Sequence, residues 1–363
     1  MAEYQFGEPF HHYLARAFKA QRGWGSKDRK RYRRWCYTYF KFAPDISVAH
    51  WPQSLCTAAL VQALLQSPYT LDSERAELEN MAVTESSVVQ HPAWKVEFSS
   101  GITWTDFLAW FQAEAPVFFC RLRPWPSEQP NPLNDPQADC LVFPAGTSLN
   151  EAQEKGLGFI QDWASQKTVE HVELAVSKPL SIWDACSGAG GKSLQMNRLY
   201  PHHHWVCTDL RASALNNLQQ RFLQAGFKLP LVFPFNPAKK SDFAWQGPEH
   251  FDRIVLDVPC SGSGTWRRNP EEWHRFSIHS QEKLWDTQRV LLQNCASRLL
   301  PGGLLFYLTC SVFQRENEDQ VNAFLQNNPD YFLLSMEMLG GPSNQADYLF
   351  RAVLKRNETQ LGS

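Results

Sequence analysis

Two cysteines stand at the ends of two apolar runs. Cys260 lies in Asp257-Val258-Pro259-Cys260-Ser261-Gly262-Ser263-Gly264, and Cys310 in Tyr307-Leu308-Thr309-Cys310-Ser311. Each run reads as a buried strand, which places each thiol in the turn that follows it. A thiol pair of this kind suits one difficult reaction. Carbon-5 of a pyrimidine is a poor nucleophile, and it becomes enamine-like once a thiolate has added to C6. One thiol attacks, and a second can help to dismantle the adduct. Asp257 brings a carboxyl to the same place as Cys260.

A third turn points to a nucleotide-like ligand. Asp184-Ala185-Cys186-Ser187-Gly188-Ala189-Gly190-Gly191-Lys192-Ser193 follows the apolar run Leu180–Trp183 and opens a helical pattern. Its glycines allow a tight turn and a close approach of backbone to ligand. Asp209 ends the next apolar run, where a carboxylate can accept both hydroxyls of a ribose. Gly191-Lys192-Ser193 ends as a phosphate-binding loop would, but the glycine such a loop needs five positions earlier is Cys186. That reading is excluded.

These turns need a scaffold, and from about residue 178 the rhythm is strand, turn, helix. Strands are predicted at Leu180–Trp183, Trp205–Thr208, Leu231–Phe235, Arg253–Leu256, Leu304–Leu308 and Tyr348–Leu354. Helices are predicted near Arg211–Ala225, Gln281–Leu299 (closed by Pro301-Gly302-Gly303) and Glu316–Gln326. The alternation implies an α/β fold with a mostly parallel, doubly wound sheet. Upstream, residues 96–176 mix short strands and helices: Val117–Arg123 reads as a strand, and the proline-rich segment Pro124–Gln137 as a loop. Residues 1–95 read as mostly helical, with Phe10, Leu14, Ala17 and Phe18 at helical spacing, a break at Gly23-Trp24-Gly25-Ser26, and a second apolar pattern over Leu55–Leu65.

The 363 residues suggest two or three domains, and the net charge of -2 does not announce a nucleic-acid binder. The local distribution says more. From Arg16 to Lys41 there are ten Lys and Arg against one acid, Asp28, interleaved with Trp24, Tyr32, Trp35, Tyr37, Tyr39 and Phe40. Such a face attracts phosphates; the alternative is a solvated helix face over a core of aromatics. Nine scattered cysteines without a Cys-x-x-Cys pair argue against a disulfide framework and a zinc site, and fit a reducing cytosol. No metal is expected: His202-His203-His204 follows Pro201 and reads as a surface loop. No signal peptide or membrane-spanning run is evident, so a cytoplasmic protein is expected.

The two cysteine motifs together, with Leu300-Pro301-Gly302-Gly303 before the second and Glu316-Asn317-Glu318 after it, resemble the Sun/Fmu-type (RsmB/NOP) RNA cytosine-C5 methyltransferases. Phe159–Gln166 and Arg121-Leu122-Arg123 resemble that family's segments upstream of its catalytic domain. The resemblance implies a Rossmann-like class I methyltransferase domain over 177–363, a small α+β RNA-binding domain over 96–176 and an N-terminal helical RNA-binding domain over 1–95. It implies S-adenosylmethionine as cofactor, bound by Cys186, Ser187, Gly188, Ala189, Gly190, Gly191 and Lys192, with Asp209, Asn236 and Asp257 completing the site. Ala189 stands where the family usually has proline. It further implies Cys310 as nucleophile, Cys260 as the thiol that helps to release the product, and Asp257 as a protonated carboxyl donating to cytosine N3. Arg267 and Arg268 are expected to hold phosphates or to shape the motif. The expected partner is structured RNA, ribosomal before transfer RNA, met by a monomer; a catalytically silent assembly factor is the third reading.

Overall fold

Leu304-Leu305-Phe306-Tyr307-Leu308 is apolar at every position, the pattern of a strand covered on both faces. In the computed structural model all five residues are buried, inside the strand Leu299–Thr309. The structure describes residues 4, 8–21, 23–42, 58–66, 71, 75, 76, 79, 96–169, 176, 178–239 and 245–358. They fall into two compact units: 1–95, 108–113 and 266–278 in the smaller, 96–107, 114–265 and 279–363 in the larger.

In the smaller unit, α1 (Phe10–Ala20) buries Phe10, Leu14 and Phe18, spaced four apart along one face. They pack with Tyr39 and Phe40 of α2 (Ser26–Phe42), where the rings of Phe10 and Phe40 meet edge to face at 4.8 Å. Trp24 stacks on Tyr32 at 4.3 Å. The aromatics of the basic stretch are therefore core, while Lys27, Arg29, Lys30 and Arg33 are exposed and Arg31 and Arg34 are half-buried. Of the apolar pattern over Leu55–Leu65, α3 covers Ala58–Leu65; residues 55–57 lie outside the described residues.

The larger unit opens with an antiparallel sheet of β1 (Val117–Arg121), β2 (Cys140–Phe143) and β3 (Gly158–Ile160), ordered β2-β1-β3. The short helix α4 (Trp163–Lys167) follows, capped by the Asp162 side chain, which accepts from the Ala164 N–H. Then come β4 (Ser181–Asp184), α5 (Gly191–Leu199), β5 (His204–Asp209), α6 (Ala212–Ala225), β6 (Leu231–Pro234), β7 (Phe251–Asp257), α7 (Ile278–Ala296), β8 (Leu299–Thr309), α8 (Glu318–Asn327), β9 (Tyr331–Gly341) and β10 (Ala346–Arg356). The sheet order is β6-β5-β4-β7-β8-β10-β9, parallel from β6 to β8 and antiparallel on both sides of β10. The Rossmann-like α/β class expected from the sequence is the one observed. Alternation across the strands builds two cores. Trp183, Ile254, Leu256, Leu305 and Tyr307 fill one face, and Ile182, Val255, Phe306 and Leu308 the other. The winding reverses between β4 and β7, and the crevice at their carboxyl ends is where such sheets place ligands.

Several expectations need correction. The helix expected over Gln281–Leu299 ends at Ala296, and Pro301-Gly302-Gly303 lies within β8. There the register moves from Phe251–Leu299 to Arg253–Leu304, so the extra residues bulge out, with Gly302 at a φ of 75°. The helix expected from Glu316 starts at Glu318, after a 3-10 turn over Gln314–Glu316. The strand expected over Val117–Arg123 stops at Arg121, and the one over Leu231–Phe235 at Pro234. Strands β2, β3 and β9 were not anticipated; β9 is an edge strand without the apolar run of its buried neighbours. His203 is no surface loop residue: it is buried, and its Nδ1 accepts from the Leu180 N–H at 3.2 Å.

Candidate active site

The glycine-rich turn leaves β4 at Asp184 and enters α5 at Gly191. Gly188 and Gly190 have φ of 53° and 74°, in the left-handed region that favours glycine. At Gly190 the demand is also steric, because a Cβ would lie 2.5 Å from Leu218 Cγ of α6. Ala189, between them, is exposed, and its carbonyl accepts from Arg221 Nη1 at 2.8 Å. Asp209 ends β5 beside this turn and is 7% exposed. Its Oδ2 accepts from the Gly188 N–H at 2.9 Å and its Oδ1 from the Arg211 N–H at 2.8 Å. Arg211 Nε and Nη2 add bonds of 3.1 and 3.4 Å. Burial alone would raise the Asp209 carboxyl; these donors more than offset it and hold it below its ordinary value. Asn236 lies just past β6, and its Oδ1 accepts from the Ala238 N–H at 3.0 Å, so part of its carbonyl capacity serves its own loop.

A cavity of about 150 Å³ is lined by Asp184, Cys186, Ser187, Gly191, Lys192 and Asp257, among others. Asp184 Oδ2 accepts from Ser193 Oγ, while the buried Oδ1 has no hydrogen-bond partner among the described residues. Burial raises the Asp184 carboxyl to about 7. Burial likewise pushes the Cys186 thiol well up, so Cys186 lines the cavity as a thiol. Lys192 sits in the first turn of α5, with Nζ 2.5 Å from Asp257 Oδ2. Burial pulls its ammonium down, and Asp257 opposite more than restores it. A polar cavity beside two left-handed glycines, an orphaned buried carboxyl oxygen and a strand-end carboxylate fit a nucleoside cofactor with a charged tail.

Asp257 ends β7, and Cys260 lies three residues beyond it; Cys310 directly follows β8. The two Sγ atoms are 3.4 Å apart and both residues are half-buried. The hydrogen bond to Cys310 pushes the Cys260 thiol well above its usual value, and burial and the charge of Glu316 add to this. The turn after Cys260 packs onto backbone: the Gly264 N–H donates to the Cys310 carbonyl at 2.9 Å, and a Cβ at Gly264 would lie 2.1 Å from the Tyr348 carbonyl. Arg267 is 3% exposed, with its guanidinium 5.1 Å above the Trp110 ring. So buried a guanidinium presents little to a phosphate.

The family model of the 16S rRNA methyltransferase RsmB/F matches residues 172–357. The chain belongs to this RsmB/F family. The match spans the parallel sheet, the glycine-rich turn and both cysteine turns. The ribosomal RNA small subunit methyltransferase B of Shewanella oneidensis is 38% identical over 177 residues, which cover 48% of this chain and 40% of that protein. The protein of the same name from Yersinia pseudotuberculosis is 27% identical over 290 residues, covering 75% of this chain and 66% of that one. The chain thus spans less than two thirds of the length of either relative. Among solved structures, PH0851 superposes with a TM-score of 0.65 at 20% identity, over 82% of this chain and 76% of that one, a likeness of fold.

Within this member of the RsmB/F family, the structure brings Cys186–Lys192, Asp209, Asp257, Cys260 and Cys310 to the carboxyl ends of β4, β5, β7 and β8. It also shows residues that sequence reasoning passed over. Arg211 covers Asp209, Arg221 holds the Ala189 carbonyl, and Gln161 and Ser165 line the same cavity as Lys192. Glu316 is fully buried against both cysteine turns. An arginine on an amphipathic helix reads as surface, and no local pattern marks these side chains. Among the described residues no group of His, Cys, Asp and Glu could hold a metal ion, and no helix is long and apolar enough to cross a membrane.

Proposed function

We propose that this chain moves a methyl group from S-adenosylmethionine to C5 of a cytosine in ribosomal RNA, through a covalent bond between Cys310 and C6. The observation that carries this reading is the pair of Sγ atoms 3.4 Å apart, close to the Lys192–Asp257 ion pair at the same end of the sheet. S-adenosylmethionine supplies an electrophilic methyl group on its sulfonium. Asp209 accepts the ribose hydroxyls, the turn Cys186–Lys192 carries the methionine end, and Asn236 lies toward the base. Cys310 adds to C6 and its electron pair becomes the C6–S bond. The C5=C6 pair shifts to C4=C5, and the C4=N3 pair moves onto N3, which takes a proton from the Lys192–Asp257 pair. C5 is then nucleophilic: the C4=C5 pair forms the bond to the methyl group, the methyl–sulfur pair stays with the departing thioether, and C4=N3 re-forms with N3 still protonated. Once Cys310 is bonded to C6 it no longer shares the Cys260 proton; Cys260 gives that proton to solvent and, as thiolate, accepts the C5 proton. The C5–H pair restores C5=C6, and Cys310 leaves with its bonding pair.

RNA is held by its phosphates, for which the exposed Lys27, Arg29, Lys30 and Arg33 of α2 are the candidates. In this reading residues 1–95 and 96–176 are RNA-binding domains and 177–363 is the methyltransferase domain. The deciding experiment uses three purified variants. Cys310→Ala should lose methyl transfer with near-normal cofactor affinity. Cys260→Ala should accumulate a protein–RNA adduct that survives denaturing electrophoresis and requires S-adenosylmethionine. The double variant should form none. Turnover by Cys310→Ala, or an adduct that forms only when Cys260 is present, would reverse the two roles. Bisulfite sequencing of RNA from cells with and without the gene tests the substrate: a cytosine whose methylation is lost in transfer RNA rather than ribosomal RNA refutes the ribosomal assignment.

A further inference from the structure

Glu316 is fully buried, and the mechanism above does not use it. Its carboxylate accepts from three donors. Oε1 takes the Ser261 N–H at 2.8 Å and Gln288 Nε2 at 3.0 Å, and Oε2 takes Ser311 Oγ. Ser261 directly follows Cys260, and Ser311 directly follows Cys310. One carboxylate therefore holds the residue after each thiol.

The surrounding bonds extend the same tie. Gln288 of α7 also donates to the Pro259 carbonyl at 2.9 Å, so Cys260 is fastened on both sides. Thr309 Oγ1 donates to Asn317 Oδ1 at 2.5 Å, and Asn317 Nδ2 donates to the Ser311 carbonyl at 2.9 Å, so Cys310 is fastened on both sides as well. The hydroxyls of Ser261, Ser263 and Ser311 lie 3.0 to 3.2 Å from one another, and the Val312 N–H donates to Ser263 Oγ at 2.9 Å. Ser263, Thr309, Ser311, Glu316 and Asn317 are all buried, so little water competes for these bonds.

We propose that Glu316 is a positioning residue, the post to which both thiol turns are tied, and that it sets how fast the Cys310–RNA adduct is resolved. The inference rests on the roles proposed for Cys310 and Cys260. C5 and C6 are bonded neighbours. Once Cys310 holds C6, a second sulfur 3.4 Å from the first is in range of the C5 proton only while both turns stay in place. The step at stake is transfer of that proton to Cys260 Sγ, return of the C5–H pair to C5=C6, and departure of Cys310 as thiolate. A displacement of about 1 Å at a reacting pair costs on the order of a hundredfold in rate. Of the two thiols, formation of the adduct needs only Cys310 and depends less on the spacing. Glu316 does not reach the RNA, because both its oxygens are engaged inside the protein.

The test follows adduct formation and decay in single-turnover experiments on the full chain with its RNA substrate. Glu316→Ala removes both ties. It should bind cofactor and RNA as the wild type does, form the adduct at a near-normal rate, and resolve it about ten- to a hundredfold more slowly. Glu316→Gln should restore resolution. Its carbonyl keeps the Ser261 and Gln288 donors, and its amide can donate to Ser311 Oγ, whose proton turns away. Unchanged decay in Glu316→Ala overturns the proposal. So does decay in Glu316→Gln as slow as in Glu316→Ala, which would make the charge, not the tie, the active property. Should Glu316→Ala fail to fold, Ser311→Ala removes one tie and must slow resolution about tenfold; unchanged decay there overturns the proposal equally. The trap by Cys260→Ala separates the two levels of inference. If that variant forms no adduct, the roles of the thiols fall. If it does and Glu316→Ala resolves normally, only the role of Glu316 falls.

Discussion

Arg211→Ala should tighten cofactor binding, although it removes a side chain from the cofactor site. A carboxylate offers about four lone-pair sites. At Asp209 four donors use them: the N–H groups of Gly188 and Arg211, at 2.9 and 2.8 Å, and Nε and Nη2 of Arg211, at 3.1 and 3.4 Å. The backbone pair belongs to the turns themselves. The guanidinium pair is longer, and the Arg211 side chain is 69% exposed. On the role proposed for Asp209, two ribose hydroxyls enter by displacing the guanidinium. An exposed ion pair is worth about 0–1 kcal/mol, so its removal should lower the dissociation constant by up to about fivefold. Calorimetry with S-adenosylhomocysteine reads this directly. That ligand carries no net charge near neutrality, so added salt acts mainly on the protein's own ion pair. The wild type should bind more tightly as salt screens the pair, approaching Arg211→Ala, whose affinity should stay flat. Weaker binding by Arg211→Ala, or two parallel salt curves, would show that Arg211 orients Asp209 rather than competing for it.

Asp209→Ala should weaken cofactor binding by about ten- to a hundredfold, the loss of charge-assisted hydrogen bonds worth about 1.5–3 kcal/mol; an unchanged dissociation constant removes Asp209 from the site. Lys192→Met should lower kcat by about 10²–10³-fold and, because Lys192 lines the cofactor cavity, weaken cofactor binding as well; retained turnover at saturating cofactor would show that its ammonium plays no part in the chemistry. Charge reversal at Lys27, Arg29, Lys30 and Arg33 should weaken RNA binding and flatten its salt dependence, whereas an unaltered slope makes that helix face merely solvated. Asp184→Asn tests the buried carboxyl, raised to about 7 in the folded chain. A folded value above the unfolded one of about 3.9 contributes stability that is complete below about pH 4 and lost as pH rises through about 7, with a ceiling of about 4 kcal/mol. Asn does not titrate, so urea unfolding from pH 4 to 8 should show the variant gaining on the wild type as pH rises; a constant difference contradicts this.

The parts of the site that were legible in the sequence are those where chemistry and strand ends coincide. Asp184, Asp209 and Asp257 each close an apolar run, and a parallel sheet carries the carboxyl ends of its strands to one side. The order of motifs along the chain was therefore enough to bring them together. Glu316 shows the limit. In Glu316-Asn317-Glu318 it reads as a polar helix start, and only long-range packing makes it fully buried. Pro301-Gly302-Gly303 carries the marks of a helix end, but one register shift in a parallel pair absorbs it. Strand β9 pairs on one side only, so its Ser335 and Glu337 break the apolar run that betrays a buried strand. In the basic stretch two patterns overlap: the aromatics are the core face of α2, and the exposed lysines and arginines are the other.

The pairing of Lys192 with Asp257 changes how activation of the base is understood. A protonated Asp257 was expected to donate to N3, and the structure places Lys192 Nζ 2.5 Å from its Oδ2. A lone carboxylate would repel the electron density that gathers on N3 as Cys310 adds. In the proposed mechanism, with the ammonium beside it, a proton crosses that short bond toward Asp257 and onward to N3, and the positive charge of the site falls as negative charge grows on the base. The same path returns the proton when Cys310 leaves. The two partners also come from different turns. Lys192 opens the helix behind the glycine-rich turn, and Asp257 ends the strand that leads to Cys260. A ligand that orders the glycine-rich turn therefore also orders the acid that faces the base. In the proposed mechanism the ion pair thus joins the methyl donor's site to the thiol site, and the acid is in place for the base once the donor has bound.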